Sequence, residues 1–291
     1  MVNSAFIVTS MCFGSEGKGS IVDSLTQKFN SDLTVRFSGA HQTKSEVITK
    51  NKHHSFCQFG SGTLSGARTL ISKYVIIDPL SFDGEERNLQ SLGYNHSYDN
   101  IFIDEDCLIT TPFAKAFNRL LEISRGKDRH GSSGLGCYAT LEDSFERPKN
   151  IIRAKDLLGK AGDLFQKLED TRNAFIQRSI ELKLSNFDEN FDEKNKDEHR
   201  IFNCGIGNLV KLYQEFAKRV NIIDYQTSLN IIKKSNYPIF EGNQGVLLDD
   251  SDGFYPYVTA NSSTSERAVK LLLDAEWGCL YHKIGVTRPY F

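Results

Sequence analysis

The chain has no excess of charge of either sign: 35 Lys+Arg stand against 37 Asp+Glu, a formal net charge of −2 over 291 residues. It offers no field that would attract a polyphosphate chain or an anionic bilayer, so neither nucleic acid nor membrane is an expected partner. It lacks any run approaching the roughly 18 to 20 consecutive apolar residues of a membrane-spanning helix, and it does not begin with a basic segment leading into a hydrophobic one. A cytoplasmic location is expected. The cysteines at 12, 57, 107, 137, 204 and 279 include no C-x-x-C pair and have no histidine at ligand spacing. That argues against zinc and for reduced, mostly buried thiols. There is no internal repeat and no low-complexity linker.

The composition, 39% hydrophobic and 25% charged, suffices for a substantial core. Apolar runs at Ala5–Val8, Leu33–Phe37, Tyr74–Ile77 and Ile101–Ile103 read as strands separated by loops, and the helical pattern Phe113–Ile123 follows the last. The middle, about 151–231, is helix-rich: Ala154–Leu158, Leu164–Leu182 and Ile206–Val220 place apolar residues three and four apart. Within it, Asn186–Arg200 crowds acidic and basic residues together and reads as a solvated loop or frayed helix. A strand at Pro238–Phe240, a loop rich in Gly, Asp and Ser, a helix at Ser265–Ala275 and a strand at Cys279–Val286 complete the pattern. The expected fold is α/β, a mostly parallel central sheet flanked by helices, one domain over 1–291 with a helical excursion in its middle.

The chemistry concentrates at strand ends. Phe13-Gly14-Ser15-Glu16-Gly17-Lys18-Gly19-Ser20 joins the first strand to a helix at Ile21–Phe29. Glycine amides, a helix N-terminus and a lysine make a phosphate cradle. Gly19 follows the lysine where a Walker A loop needs Ser or Thr, so this is not that motif. The second cluster, Arg36-Phe37-Ser38-Gly39-Ala40-His41-Gln42, again follows a strand, and His41 there is placed to stabilise charge on a transferring phosphoryl group. The third, Phe240-Glu241-Gly242-Asn243-Gln244-Gly245-Val246-Leu247-Leu248-Asp249, continues through Asp252-Gly253-Phe254-Tyr255-Pro256-Tyr257-Val258-Thr259-Ala260-Asn261 and suits a nucleotide-sized polar ligand. Taken singly, Glu16 has a lesser reading as a helix-start carboxylate, and Asp249 and Asp252 can be read as Asx-turn formers.

In this order the three clusters resemble the adenylosuccinate synthetases, with their W-G-D-E-G-K-G-K loop, N-A-G-H-T loop, and F-E-G-A-Q-G-x-L-L-D followed by G-T-Y-P-Y-V-T. Gly285-Val286-Thr287-Arg288-Pro289-Tyr290 is similar to the family's G-V-T-K-A-Y strand. The resemblance covers nearly the whole chain and implies a P-loop-NTPase-like adenylosuccinate synthetase fold. It is closest to the viral branch, the 2-aminoadenylosuccinate synthetases that act on dGMP in a diaminopurine pathway. Ser15 stands where cellular enzymes carry Asp, and His54-Ser55-Phe56-Cys57-Gln58-Phe59-Gly60-Ser61-Gly62-Thr63 matches that branch's H-x-F-x-x-F-G-S-G-T. The implied chemistry phosphorylates the purine 6-oxygen from ATP or dATP and displaces the phosphate with L-aspartate.

Residue by residue, the resemblance implies catalytic Ser15, Lys18 and His41. Nucleotide binding would fall to Gly14, Glu16, Gly17, Gly19, Ser38, Ser132, Ser133, Gly134, Asn243, Gln244 and Thr259. Arg147 would cross the interface of a homodimer to the monophosphate. Mg²⁺ would be held near Ser15 and the Ala40 carbonyl. The chain departs from the pattern at Ala40 and Gln42, where the family has Gly and Thr, and the family's T-R-x-G-x-G-P aspartate loop does not follow Tyr290 before Phe291. These departures bear on ligation more than on nucleotide binding, and they leave open a nucleotide sensor that does not ligate.

Overall fold

Seven short runs form one sheet. In the computed structural model, which describes residues 3–50, 52–95, 97–184, 196–259 and 261–288, they are β1 (Ser4–Ser10), β2 (Leu33–Arg36), β3 (Arg68–Ile71), β4 (Ile101–Asp104), β5 (Asn221–Ile223), β6 (Ile239–Gly245) and β7 (Leu280–Val286). Their order is β7-β1-β6-β2-β3-β4-β5 and every pairing is parallel. The helices are α1 (Lys18–Phe29), α2 (Pro79–Ser91), α3 (Pro112–Ser124), α4 (Cys137–Glu146), α5 (Ala161–Glu181), α6 (Lys196–Phe202), α7 (Ile206–Arg219), α8 (Tyr225–Lys234) and α9 (Glu266–Asp274).

Contacts divide the chain into two units, Met1–Cys107 with Arg219–Phe291, and Leu108–Lys218. The first holds the sheet. Alternate residues of β1 point to opposite faces: Ala5 and Ile7 join Val35, Leu70 and Phe240 under Leu229, Ile232, Leu271 and Leu272 of α8 and α9. Phe6 and Val8 join Ile239 under Val22 of α1, with Leu25 and Phe29 packed alongside. The second unit is helical. Thr111 caps α3 by accepting from the Ala114 amide at 3.2 Å, Pro112 opens the helix, and Phe117 meets Phe175 of α5 at 5.1 Å between ring centroids. The excursion expected over 151–231 overlaps this unit, while β5 and α8 belong to the first. Among the described residues no helix is long and apolar enough to cross a membrane.

Three expectations need correcting. The sheet strand is Arg68–Ile71, not Tyr74–Ile77, of which only Ile76–Ile77 is extended and lies outside the main sheet. Arg68-Thr69 looks too polar for a central strand, but the Thr69 hydroxyl accepts from the Gly60 amide at 2.9 Å and so can be buried. The strand expected to stop at Phe240 runs on to Gly245, buried throughout. The thiols are not mostly buried: Cys107 and Cys137 are, Cys279 is exposed, and Cys12, Cys57 and Cys204 lie between. Of the charge run, 186–195 lies outside the described residues, as do Ala260, Pro289, Tyr290 and Phe291; its last residues begin α6.

The end of β6 meets the loop after β1 backbone to backbone. The Leu247 amide donates to the Cys12 carbonyl at 3.0 Å, and a Cβ on Gly245 would overlap that same carbonyl and crowd the Gly14 amide. Gly245→Ala is therefore expected to lower stability by ~1–3 kcal/mol, the range for overpacking, read as a fall in the urea midpoint. An unchanged midpoint would mean that the two segments separate at no cost.

Candidate active site

Because every strand of the sheet runs the same way, β1, β6, β2 and β7 deliver their following residues to one edge. β6 returns between β1 and β2, so the strand order reverses there, which is where open α/β sheets place ligands. The loop after β1 passes Gly14 (φ 110) and Gly17 (φ 90) in left-handed geometry, and α1 then starts with no side-chain cap and no acidic residue in its first turn. Its first amides and dipole are left facing the loop.

This loop carries its own anion. The Glu16 carboxylate accepts from the Phe13 amide at 2.9 Å, from the Gly14 amide at 3.0 Å and from the Ser10 hydroxyl. Burial works against its charge, but the Ser10 hydroxyl, the two amides and nearby Lys18 outweigh it and hold the carboxyl below the usual range. Glu16 thus does more than favour the start of α1. Lys18, 3% exposed, donates to the Gly14 carbonyl at 2.8 Å. Burial lowers its pKa to about 8, with Glu16 and Glu241 pulling the other way and Arg36 adding to the fall. Ser15 is exposed, and the Arg288 guanidinium donates to its carbonyl at 2.6 and 2.8 Å and to its hydroxyl. Gly19 must stay small because a Cβ there would meet the Glu46 carbonyl.

The loop after β2 is clamped from several sides. The Gly39 carbonyl accepts from the Ile76 amide at 3.1 Å and from Asn261 at 3.3 Å, and the Ala40 carbonyl accepts from Asn243 Nδ2 at 2.6 Å. His41, buried, has Nε2 3.8 Å from the carboxylate of buried Asp78, the residue preceding α2. Gln58 fixes Asp78 by accepting from its amide at 2.8 Å and donating to its carbonyl at 3.1 Å. The Ser38 hydroxyl is buried with no hydrogen-bond partner among the described residues. On β6, Glu241 is fully buried, accepts from Ser61 at 2.9 Å (amide) and 2.6 Å (hydroxyl), and sits in register with Arg36. Gln244 is buried at the strand end, and the Thr259 amide donates to the Leu248 carbonyl at 2.7 Å. Asp249 does form the Asx turn, accepting from Ser251 at 3.0 Å, and also ties in the Ser263 amide at 2.6 Å.

The first unit therefore gathers Gly14, Ser15, Glu16, Gly17, Lys18, Gly19, Ser38, Ala40, His41, Asn243 and Gln244 at its carboxyl edge. Ser132, Ser133, Gly134 and Arg147 belong to the other unit. There, Glu122 accepts from the Gly131 and Ser132 amides at 3.1 and 3.2 Å, repeating the self-held carboxylate of the first loop. Ser133 is exposed, the Arg119 guanidinium donates to the Gly134 carbonyl at 3.3 Å, and Arg147 grips Asp143 with two bonds of 2.7 Å. Sequence reading gave no role to Arg36, Ser61, Asp78, Asn261 or Glu122. The available signal was a charged residue inside or ending an apolar run, as with Arg36 and Glu241.

Neither residue implied for Mg²⁺ brings an anionic oxygen of its own. A small dication favours carboxylate and other anionic oxygens. Here the Ser15 hydroxyl faces the Arg288 guanidinium and the Ala40 carbonyl accepts from the Asn243 amide.

A family model described as adenylosuccinate synthetase matches residues 7–291. The adenylosuccinate synthetase of Clostridium beijerinckii is 32% identical and that of Clostridium botulinum 31%, each over 99% of this chain and 63% of the relative. The chain thus spans about 63% of the length of the curated relatives it matches. Fully ligated adenylosuccinate synthetase from Plasmodium falciparum shares the fold with a TM-score of 0.70 at 20% identity, over 99% of this chain and 62% of that one. Cyanophage S-2L succinoaminodeoxyadenylate synthetase, bound to dGMP and to dATP as an energy donor, shares it with a TM-score of 0.54 at 13% identity, over 98% and 64%.

Lys18 supplies a pH test. Its ammonium is present below about 8 and lost above it. Affinity for inorganic pyrophosphate, measured by calorimetry, is expected to fall as pH rises from 7 to 9.5, and Lys18→Met should bind weakly at all these values. A wild-type affinity flat across the range would remove Lys18 from the cradle.

Proposed function

The chain belongs to the adenylosuccinate synthetase family, and from that premise we propose that it is a purine nucleotide:aspartate ligase of the viral kind, converting dGMP and L-aspartate to 2-aminoadenylosuccinate with ATP or dATP. The observation that carries the choice of dGMP is Ser15, an exposed neutral hydroxyl on the glycine loop, partnered by Arg288 where the family has a carboxylate. Its small size leaves room for a purine 2-amino group, and its oxygen can accept a hydrogen bond from one.

In this reading the purine N1–H gives its proton to water as O6 attacks the γ-phosphorus and the nucleoside diphosphate leaves. The aspartate amine then attacks C6, the C6–O bond breaks, inorganic phosphate departs, and the amine loses a proton. The triphosphate displaces Glu16 from the loop amides, and Lys18 turns from the Gly14 carbonyl to its oxygens. His41, steadied by Asp78, donates to the phosphoryl group as charge builds on it. The donor arrives as its magnesium complex, a substrate, and no step uses an ion held by Ser15 and Ala40. A homodimer is part of the reading, with Arg147 released from Asp143 toward the neighbouring copy's monophosphate. A second reading, a nucleotide sensor without ligation, draws on one observation: Lys18 and Arg288 both donate to backbone carbonyls of the loop.

Mass spectrometry of reactions with aspartate, Mg²⁺, and ATP or dATP is expected to find a succinylated product from dGMP and none from IMP, with Ser15→Asp shifting the preference toward IMP. Nucleotide binding with no succinylated product from any purine monophosphate would replace the ligase by the sensor.

A further inference from the structure

The Asn243 side chain uses both ends of its amide inside the protein. Its Oδ1 accepts from Arg36 Nη2 at 3.2 Å, and its Nδ2 donates to the Ala40 carbonyl at 2.6 Å, one residue before His41. Arg36 in turn donates through Nη1 to the Phe59 carbonyl at 3.0 Å. All of this is buried: Asn243 is 2% exposed and Arg36 2%. These bonds turn the amide inward, whereas sequence reading placed Asn243 among the nucleotide contacts.

The amide fits only because residue 39 is glycine. Gly39 holds φ 81, and a Cβ there would overlap the Cβ, Cγ and Nδ2 of Asn243. In the motifs that the chain resembles, N-A-G-H-T and F-E-G-A-Q-G, both positions are alanine and the loop begins with asparagine. This chain has Ser38, Gly39 and Asn243 instead. Set against those motifs, the loop lacks an amide side chain, the strand facing it carries one, and residue 39 lacks a methyl group.

We propose that Asn243 is a positioning residue co-adapted with Gly39: its amide locks the Ser38–His41 loop to the end of β6 and so fixes the place of His41. The Ala40 carbonyl becomes part of this lock. The lock stands on geometry alone, while its effect on turnover rests on the ligase reading above.

The test is a double-mutant set, Gly39→Ala, Asn243→Ala and the two together, examined first without substrate. Amide hydrogen exchange at Ile76, whose N–H is bonded to the Gly39 carbonyl, should speed up by about tenfold or more in each single variant. In the double variant it should be no faster than in the faster single variant, because both substitutions break the same lock. If Gly39→Ala exchanges like wild type, or if the double variant shows merely the product of the two single effects, the co-adaptation is wrong. Should Gly39→Ala fail to fold, Asn243→Ala alone tests the lock: faster exchange at Ile76 with a cooperative urea transition retained supports it, and a wild-type rate overturns it. With substrates, Asn243→Ala should lower kcat on the order of 10- to 100-fold with little change in KM for dGMP, the split expected when His41 is displaced while the nucleotide still binds. A rise in KM alone would make Asn243 a binding residue and overturn the positioning role. If the exchange pattern appears and no variant or wild type makes product, the lock stands and the ligase reading fails.

Discussion

Glu241 lies in the centre of a parallel sheet with no access to solvent, and a carboxylate in that position must be answered by its immediate neighbours. It is answered by Ser61, twice, and by the positive charges of Lys18 and Arg36 close by. Each of these has a second attachment. Lys18 holds the Gly14 carbonyl, Arg36 holds Asn243 and the Phe59 carbonyl, and Ser61 opens the turn that leads to β3. The glycine loop, the histidine loop and the strand between them therefore share one buried group of charges. Removing the Glu241 carboxylate would leave two cations in a nearly dry corner, and the loops they hold would lose a common anchor.

The same arrangement separates what the sequence reveals from what it conceals. β1, β2, β4, β7, α1 and α3 are legible because apolar periodicity, glycine turns and a Thr-Pro start are local signals. The full length of β6 is not, because Glu-Gly-Asn-Gln reads as a loop until its partners, more than a hundred residues away, are brought beside it. β3 escapes for a similar reason: Thr69 is acceptable in a central strand only with the Gly60 amide in place. The motif loops could be read as loops at strand ends. The Arg36–Asn243–Ala40 chain could not, since nothing in residues 36 to 41 announces an amide arriving from position 243.

Two glycine-rich turns, one in each unit, place a carboxylate from their own surroundings against their amides, Glu16 in the first and Glu122 in the second. In both, burial opposes the charge and hydrogen bonds override it, so both carboxyls are held below their ordinary range. Amides that hold one carboxylate oxygen well have the geometry to hold another oxyanion. The internal carboxylates keep these turns shaped and satisfied, and an arriving oxyanion must offer more than they do.

The position of β1 in the sheet has a consequence for how the chain comes together. Its two neighbours, β6 and β7, both come from beyond residue 238, and its following loop is tied to β7 through Met11 to Val286 and Arg288 to Ser15. After it leaves the ribosome, β1 thus waits with both edges open until nearly all of the described chain has been made. Such non-local pairing is slow to form, and an apolar strand with open edges can be captured by other chains in the interval. The cradle cannot form before β6 and β7 have been made, so a nucleotide cannot guide the earliest stages of folding.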